Sequence, residues 1–498
     1  MATTATSLVR HINRLSIASL SPFSEFALRF LRTMILSRLL SPGDLGAAVV
    51  LMSILTGCEM ITDVGLDKFV MVSVGDERAQ VVAAARQISI SRAIILAAAI
   101  AIFAPYLAGV FDATEHYRII AWLGVVPLIR SFKNWRIIQV QQDYRYGAET
   151  VSNVGGHAAA VIAVIPAFIF FHDERVMLAS LVAEAAVSVV LSYMLVRPQS
   201  VSHVDPVIRR AALAFGLPLM ANGLGLVILK QLDQVIVANL FGLQTLALYS
   251  LVLNLAILPT SVMQRIAGKL SLPFLGKARD DNATASQASL IVIVGMTLAA
   301  AAFAIPIGLT LDGLAPLVYG PQYKVSVAFS ALAMLAAFLR FARGGPNMVL
   351  LDHGQTGRMT AGNMIAIIGM LLGFALGVAL RSLEAVLLGV VVGDLLSFLL
   401  LLFLMNRIVP AFEVLRHIAL ISLGVAAAAA AMWLTGGGGW AVRAVIFVAS
   451  MFVIGCSAIL IYQQIISPFA RNQNQAKGQP ETLGGHAVQP SSAGGIVR

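Results

Sequence analysis

Charged side chains occur in this chain where an apolar sequence should have none. Arg29, Arg32, Arg92, Arg130, Lys133, Lys230 and Arg340 lie well inside hydrophobic runs, with Glu59, Asp63, Glu184, Asp233 and Asp394 at comparable depth. If those runs cross a bilayer, each charge near the midplane costs about 3 kcal/mol or more unless it faces protein, water or an opposite charge. Ser21, Glu25, Arg29 and Arg32 recur at three- and four-residue steps, which puts them on one helix face. Arg130 and Lys133 share a face in the same way, as do Lys230 and Asp233.

Two kinds of chemistry fit this pattern. Cations turned toward a common cavity would receive an anion, guanidinium groups forming paired hydrogen bonds to phosphate or carboxylate oxygens. The substrate-binding candidates are therefore Arg29, Arg32, Arg130, Lys133, Lys230 and Arg340. The alternative is a set of internal ion pairs, such as Arg29 with Asp63 or Lys230 with Asp233, that lock helices together. Cations slightly outnumber the acids, which favours the cavity. Glu59, Asp63 and Asp233 are candidates for holding a coupling proton or cation.

Other chemistry is missing. No stretch matches G-x-x-x-x-G-K-[ST], H-E-x-x-H or C-x-x-C, and no histidines cluster at ligand spacing, so no catalytic residue, metal or cofactor is expected. His157, alone in an apolar run, reads as a satisfied core residue. Cys58 and Cys456, also in apolar runs, read as small buried hydrophobes. The basic residues form no continuous stripe, which argues against nucleic acid as a partner.

The elements that position these charges follow from composition. In 498 residues, 59% are hydrophobic and only 12% charged, and the mean hydropathy is +0.87. A soluble domain is typically about a quarter charged. The reading is an all-α polytopic membrane protein with about 14 transmembrane helices at about 20 apolar residues each. The weakest span is the first, near 17–40, and the fourth is expected near 118–140. With the N-terminus inside, the inner connections hold about 21 of the Lys and Arg residues and the outer ones about six, which places both termini in the cytoplasm. All outer loops are short.

Charged positions repeat weakly along the chain. Arg29 and Arg32 fall on Lys230 and Asp233, Arg130 and Lys133 on Arg340 and Arg343, and Asp143 near Asp352. Six helices per unit means the two units run in the same direction. The expected organisation is a cytoplasmic N-terminus over 1–16, six-helix lobes over 17–210 and 211–405, a helix pair over 406–467, and a disordered cytoplasmic tail over 468–498.

Several segments resemble a known family. Arg38-Leu39-Leu40-Ser41-Pro42-Gly43-Asp44-Leu45-Gly46 is similar to the turn after the first helix of bacterial polysaccharide flippases, the Wzx-type members of the multidrug/oligosaccharidyl-lipid/polysaccharide exporter superfamily. Gln141-Gln142-Asp143-Tyr144-Arg145-Tyr146 resembles that family's basic-aromatic segment after helix 4. Phe215-Gly216-Leu217-Pro218, Asp233-Gln234-Val235-Ile236-Val237 and Leu240-Phe241-Gly242 through Tyr249-Ser250 resemble its helices 7 and 8. Leu317-Val318-Tyr319-Gly320-Pro321-Gln322-Tyr323 is similar to the loop after helix 9. Order and spacing hold over about residues 20 to 360, whereas 400–466 match only in hydropathy.

The resemblance implies two lobes around a cavity that opens alternately to each side of the bacterial inner membrane. It implies as substrate an oligosaccharide repeat unit on a polyprenyl diphosphate, moved for surface or exopolysaccharide synthesis, with membrane lipids around it and room for a glycan polymerase complex as partner. A cation-coupled multidrug exporter of the same superfamily is the alternative. A glycan polymerase or ligase is disfavoured, because no sizeable outer loop exists to present catalytic groups.

The charge asymmetry makes a direct prediction. A periplasmic phosphatase fused after residue 470 should be inactive, and an active fusion would reverse the topology and the direction of both repeats.

Overall fold

The computed structural model describes residues 23–73, 77–143, 146–198, 204–278, 282–406 and 408–468. The expected N-terminus over 1–16 and the expected tail beyond residue 468 lie outside the described residues, as do Tyr144 and Arg145. Among the described residues there is no strand.

Helix α1 covers 23–39. It is followed by α2 (Pro42–Ile61), α3 (Leu66–Val72), α4 (Arg78–Val110), α5 (Tyr117–Trp122), α6 (Val125–Ser131), α7 (Arg136–Gln139), α8 (Gly147–Phe170) and α9 (Arg175–Leu195). Then come α10 (Pro206–Lys277), α11 (Asn282–Tyr319), α12 (Val327–Ala342), α13 (Gly344–Asp352), α14 (Thr356–Leu380), α15 (Leu383–Leu404), α16 (Ala411–Leu434) and α17 (Trp440–Ile461). The Ser-Pro-Gly-Asp turn opens α2 as its residue types dictate, with the Ser41 hydroxyl accepting from the Asp44 N–H at 3.2 Å and Pro42 at the first helical position.

Among the described residues, eleven helices are long and apolar enough to cross a membrane, against about fourteen expected from the sequence. The difference falls at three places. Helix α1 is described over a stretch shorter than a full crossing. Helix α10 runs 72 residues and breaks at Gly242, whose φ of +79° suits glycine. The fourth expected span is three short helices, α5, α6 and α7, rather than one.

That third break has an identifiable cause. Gly124 approaches α4 so closely that a Cβ there would lie 2.8 Å from the Ala97 Cα, and Pro127 removes a donor from the first turn of α6. Beyond α6, Asn134 turns its bonds to α9: its N–H donates to the Ser192 hydroxyl at 3.0 Å and its side-chain amide to the Val196 carbonyl at 2.7 Å. Arg130 is thereby placed in the last turn of a short helix, where a cation suits the carbonyl end of the dipole.

Helices α4, α6, α8 and α9 pack among themselves, and α11, α12, α14 and α15 do likewise. Helix α2 joins the two sets by running antiparallel to the first half of α10: Gly46 lies against the Leu243 backbone, the Ser53 hydroxyl donates to Gln234, and Gly223 lies against Met60. Helices α16 and α17 pack on α11, and α16 also on α12. Arg443 pins this pair through two 2.6 Å bonds to the Asp312 carboxylate.

Helices α14 and α15 meet on a glycine seam that lets the backbones touch, the usual route to tight helix pairing in lipid. A Cβ on Gly369 would lie 2.0 Å from the Gly393 Cα, whereas one on Gly455 would meet nothing within 4 Å. Gly369→Val should therefore sharply lower the yield and melting temperature of detergent-extracted protein, with Gly455→Val near wild type. Equal behaviour of the two would discount the seam.

Candidate functional site

The buried charges form two clusters, one in each set of helices. In the second set, Arg340 near the end of α12 donates to Asp394 of α15 at 3.1 Å and lies 3.9 Å from Asp233 of α10. The Tyr249 hydroxyl donates to Asp233 at 3.0 Å. Arg343 donates to the other oxygen of Asp394 and, at 3.1 Å, to the Asn363 side-chain oxygen.

The first set repeats this clasp. Arg130 donates to Glu184 of α9 at 3.0 Å and to both oxygens of Glu59 of α2 at 2.9 and 3.0 Å. Lys133 donates to the Asn153 side-chain oxygen at 2.8 Å. Arg130 to Glu184 and Arg340 to Asp394 span the same 54 residues, and Lys133 to Asn153 and Arg343 to Asn363 the same 20. The repeat read from isolated charges is therefore a repeat of whole interactions.

Helix α1 adds two arginines to the first cluster. Arg32, only 4% exposed, donates to Glu184 at 2.9 Å. Arg29 meets the Nε2 of His157 with its Nε at 3.4 Å and its Nη2 at 3.3 Å, and the Nδ1 of the same ring lies 3.4 Å from Glu184. The internal pairs offered by the sequence are not those that form: Asp63 sits 3.8 Å from Arg92 rather than against Arg29, and Asp233 takes Arg340 and Tyr249 rather than the exposed Lys230.

A central cavity of about 340 Å³ lies between α1 and α2 on one side and both halves of α10 on the other. Among the described residues its charged walls are Arg29 and Arg32, with no acid lining it, and Gln231, Gln234, Ser250 and Asn254 supply uncharged polar groups. Among the described residues, four buried polar atoms on its lining side chains have no partner: the Ser250 hydroxyl, the Tyr319 hydroxyl, the Gln231 side-chain oxygen and the Arg32 Nε. A buried, unpaired polar group costs about 1–3 kcal/mol, so this lining suits a hydroxylated ligand. The end of the cavity where α1 and α11 finish is closed: Arg38 donates to the Leu317 and Val318 carbonyls, and the Gln322 amide to the Ser37 carbonyl at 3.1 Å.

Two further cavities adjoin the first cluster. One, of about 230 Å³, has Glu25, Arg29, Arg130, Lys133, His157 and Glu184 on its walls. The other, of about 370 Å³, is lined by Glu59, Asp63, Arg92, Arg130 and Lys133. Arg29 is thus shared between the central cavity and the first cluster. Of the sequence candidates, Arg29 and Arg32 face the central cavity, Arg130 and Lys133 line the adjoining ones, Arg340 is clasped in the second cluster, and Lys230 is exposed. Ion-coupling candidates Glu59 and Asp233 are each held by an arginine.

The uncharged cavity residues were not singled out by the sequence reading, nor was Glu184 as the shared anchor of Arg32 and Arg130. The signal for Glu184 was present, since Glu184 and Asp394 are separated by the same offset as Arg130 and Arg340. Gln231 and Asn254 carried no signal in sequence, and Ser250 stood in a family-like segment with no role assigned to it.

The described arrangement can be compared with known proteins. A family model described as "Polysaccharide biosynthesis protein" matches residues 35–328, more than half of the chain. The chain belongs to the polysaccharide biosynthesis protein family. It is 25% identical over 276 residues to the succinoglycan biosynthesis transport protein ExoT of Rhizobium meliloti (strain 1021), the match spanning 55% of each protein, about half of that relative's length. Among solved structures, an inward-facing multidrug resistance MATE family transporter of the MOP superfamily superposes with a TM-score of 0.58 at 16% identity, covering 77% of this chain and 94% of that one. A MOP superfamily transporter from Pyrococcus furiosus, whose structure is described as having reversed binding-pocket polarity, gives a TM-score of 0.49 at 16% identity, covering 79% and 96%. The fold is MATE-like, with many of the described helices long and apolar enough to cross a membrane.

The two clasps make a prediction about stability. Breaking a buried ion pair from one side costs about 3–5 kcal/mol, because the other charge is stranded. Arg340→Gln should lower the yield and melting temperature of extracted protein, and Arg340→Gln with Asp233→Asn should recover much of the loss, because Asp394 keeps Arg343 whereas Asp233 loses its cation. A double variant no better than the single one would show that Arg340 does more than neutralise Asp233.

Proposed function

We propose that this transporter flips a polyprenyl-diphosphate-linked oligosaccharide repeat unit across the bacterial inner membrane, from the cytoplasmic to the outer leaflet, by alternating access. The observation that carries the reading is the central cavity whose charged walls are Arg29 and Arg32. Guanidinium groups match diphosphate oxygens in geometry and charge, and the unpartnered Ser250, Tyr319 and Gln231 atoms opposite suit sugar hydroxyls. The polyprenyl tail stays in lipid, where its transfer costs nothing.

The relative named for succinoglycan transport supports a glycan as cargo. An exporter of cationic drugs would want acidic walls, and none lines the central cavity among the described residues. With both termini cytoplasmic, as the Lys/Arg asymmetry indicates, the closed end at Arg38 and Gln322 faces outward, so the cavity receives its cargo from the inner leaflet. In this reading Arg29 and Arg32 hold the diphosphate, while Arg130 and Lys133 back them from the adjoining cavities. A glycan polymerase complex would receive the flipped unit on the outer side.

Arg29 gives the cleaner test, because Arg32 also anchors Glu184. Losing a charge-assisted hydrogen bond costs about 1.5–3 kcal/mol, about 10- to 100-fold in affinity. Arg29→Gln should lower surface glycan at least tenfold at normal membrane yield, with Arg29→Lys retaining part of it. Normal export by Arg29→Gln would remove the diphosphate from this cavity.

A further inference from the structure

We infer that His157 of α8 is a proton-binding site whose occupancy is linked to anion binding at Arg29. The inference rests on the reading of the central cavity given above.

An arginine side chain can only donate. Two of its N–H groups address the Nε2 of His157, so this nitrogen must be the acceptor and carries no proton. The ring proton then lies on Nδ1, facing Glu184 at 3.4 Å. The imidazole is 6% exposed and is wedged between a donor that forbids a second proton and a carboxylate that would welcome one.

Arg29 also lines the central cavity. If it turns there to bind a diphosphate, Nε2 loses its donors and is free to take a proton, while Nδ1 still faces the Glu184 carboxylate at 3.4 Å. One proton taken from water onto Nε2 then gives an imidazolium paired with Glu184. The converse holds equally: a proton on Nε2 repels the Arg29 guanidinium and releases it toward the cavity. Linkage is reciprocal, so anion and proton bind cooperatively.

The surroundings do not supply another proton acceptor in the same position. The charged groups facing the ring are Glu25, Arg29 and Arg32 of α1, Arg130 of α6, Lys133 just beyond α6, and Glu184 of α9. Glu184 already accepts from Arg32 and Arg130, and those bonds do not depend on where Arg29 points. Arg29 and His157 form the movable contact in the cluster, and the imidazole is the member whose free nitrogen can either accept a hydrogen bond or take a proton and donate one.

The test measures farnesyl diphosphate binding to the full-length protein in nanodiscs, by calorimetry in buffers of different ionisation enthalpy between about pH 6 and pH 8. Titration of the ligand itself is common to all variants and cancels between them. Wild type should take up close to one proton per anion more than His157→Gln and should bind up to about tenfold tighter for each unit fall in pH. The glutamine amide can accept from Arg29 and donate to Glu184, so His157→Gln should bind as wild type does at the high-pH end. If His157→Gln is not recovered folded, His157→Asn takes its place. Histidine-selective ¹⁵N NMR of wild type reads the same event without substitution, one imidazole gaining a proton on saturation with the ligand. Proton uptake unchanged in His157→Gln, or no imidazole protonated on saturation, would overturn the inference. Wild-type binding by Arg29→Gln would instead overturn the cavity reading on which it rests.

Discussion

A charge buried in a membrane protein has to be answered by another charge, and here that requirement is met twice by the same device. An arginine at the end of a helix, Arg130 in α6 or Arg340 in α12, is clasped by an acid on another helix of its set, Glu184 of α9 or Asp394 of α15. Lys133 and Arg343, one helical turn further on, each take an asparagine from the helix between. Removing Glu184 would leave Arg130 to Glu59 and strand Arg32, and removing Asp394 would leave Arg340 to Asp233 and strand Arg343. The clasps tie α2, α6, α8 and α9 together in the first set and α10, α12, α14 and α15 in the second.

The two sets of helices differ in what meets each cluster. In the first, helix α1 contributes Arg32 to Glu184 and leaves Arg29 on the His157 ring. In the second, the corresponding stretch of α10 contributes an acid, Asp233, held by Arg340 and Tyr249. The central cavity is therefore cationic on the α1 side and neutral but polar on the α10 side. A ligand with an anionic head and hydroxylated body matches both walls at once. Closure by Arg38 on the carbonyls ending α11 draws on the same physics, a cation at the negative end of a helix dipole.

The last two helices stand apart from this arrangement. They pack on α11 and α12 through apolar contact and are fixed by the buried Arg443–Asp312 pair, and none of their residues lines the central cavity. Their place is on the outside of the second repeat.

Composition alone determined that this is a polytopic helical membrane protein, because so apolar a chain can satisfy its backbone in lipid only by forming helices. Periodicity placed Arg29 and Arg32 on one face, and equal offsets announced the repeat, because those properties are local or depend on position along the chain. The pairing of charges was decided by tertiary structure. Arg29 met His157 rather than Asp63, and Asp233 met Arg340 rather than Lys230 three residues away on the same helix, because partner choice depends on how helices rotate against one another. The break of the fourth span was half legible, in Pro127, and half not, since the close approach of Gly124 to Ala97 exists only once α4 and α5 are packed. Ser250, Gln231 and Tyr319 became site residues for the same reason: a polar side chain in an apolar helix has no assigned role until packing leaves its hydrogen bond unmade.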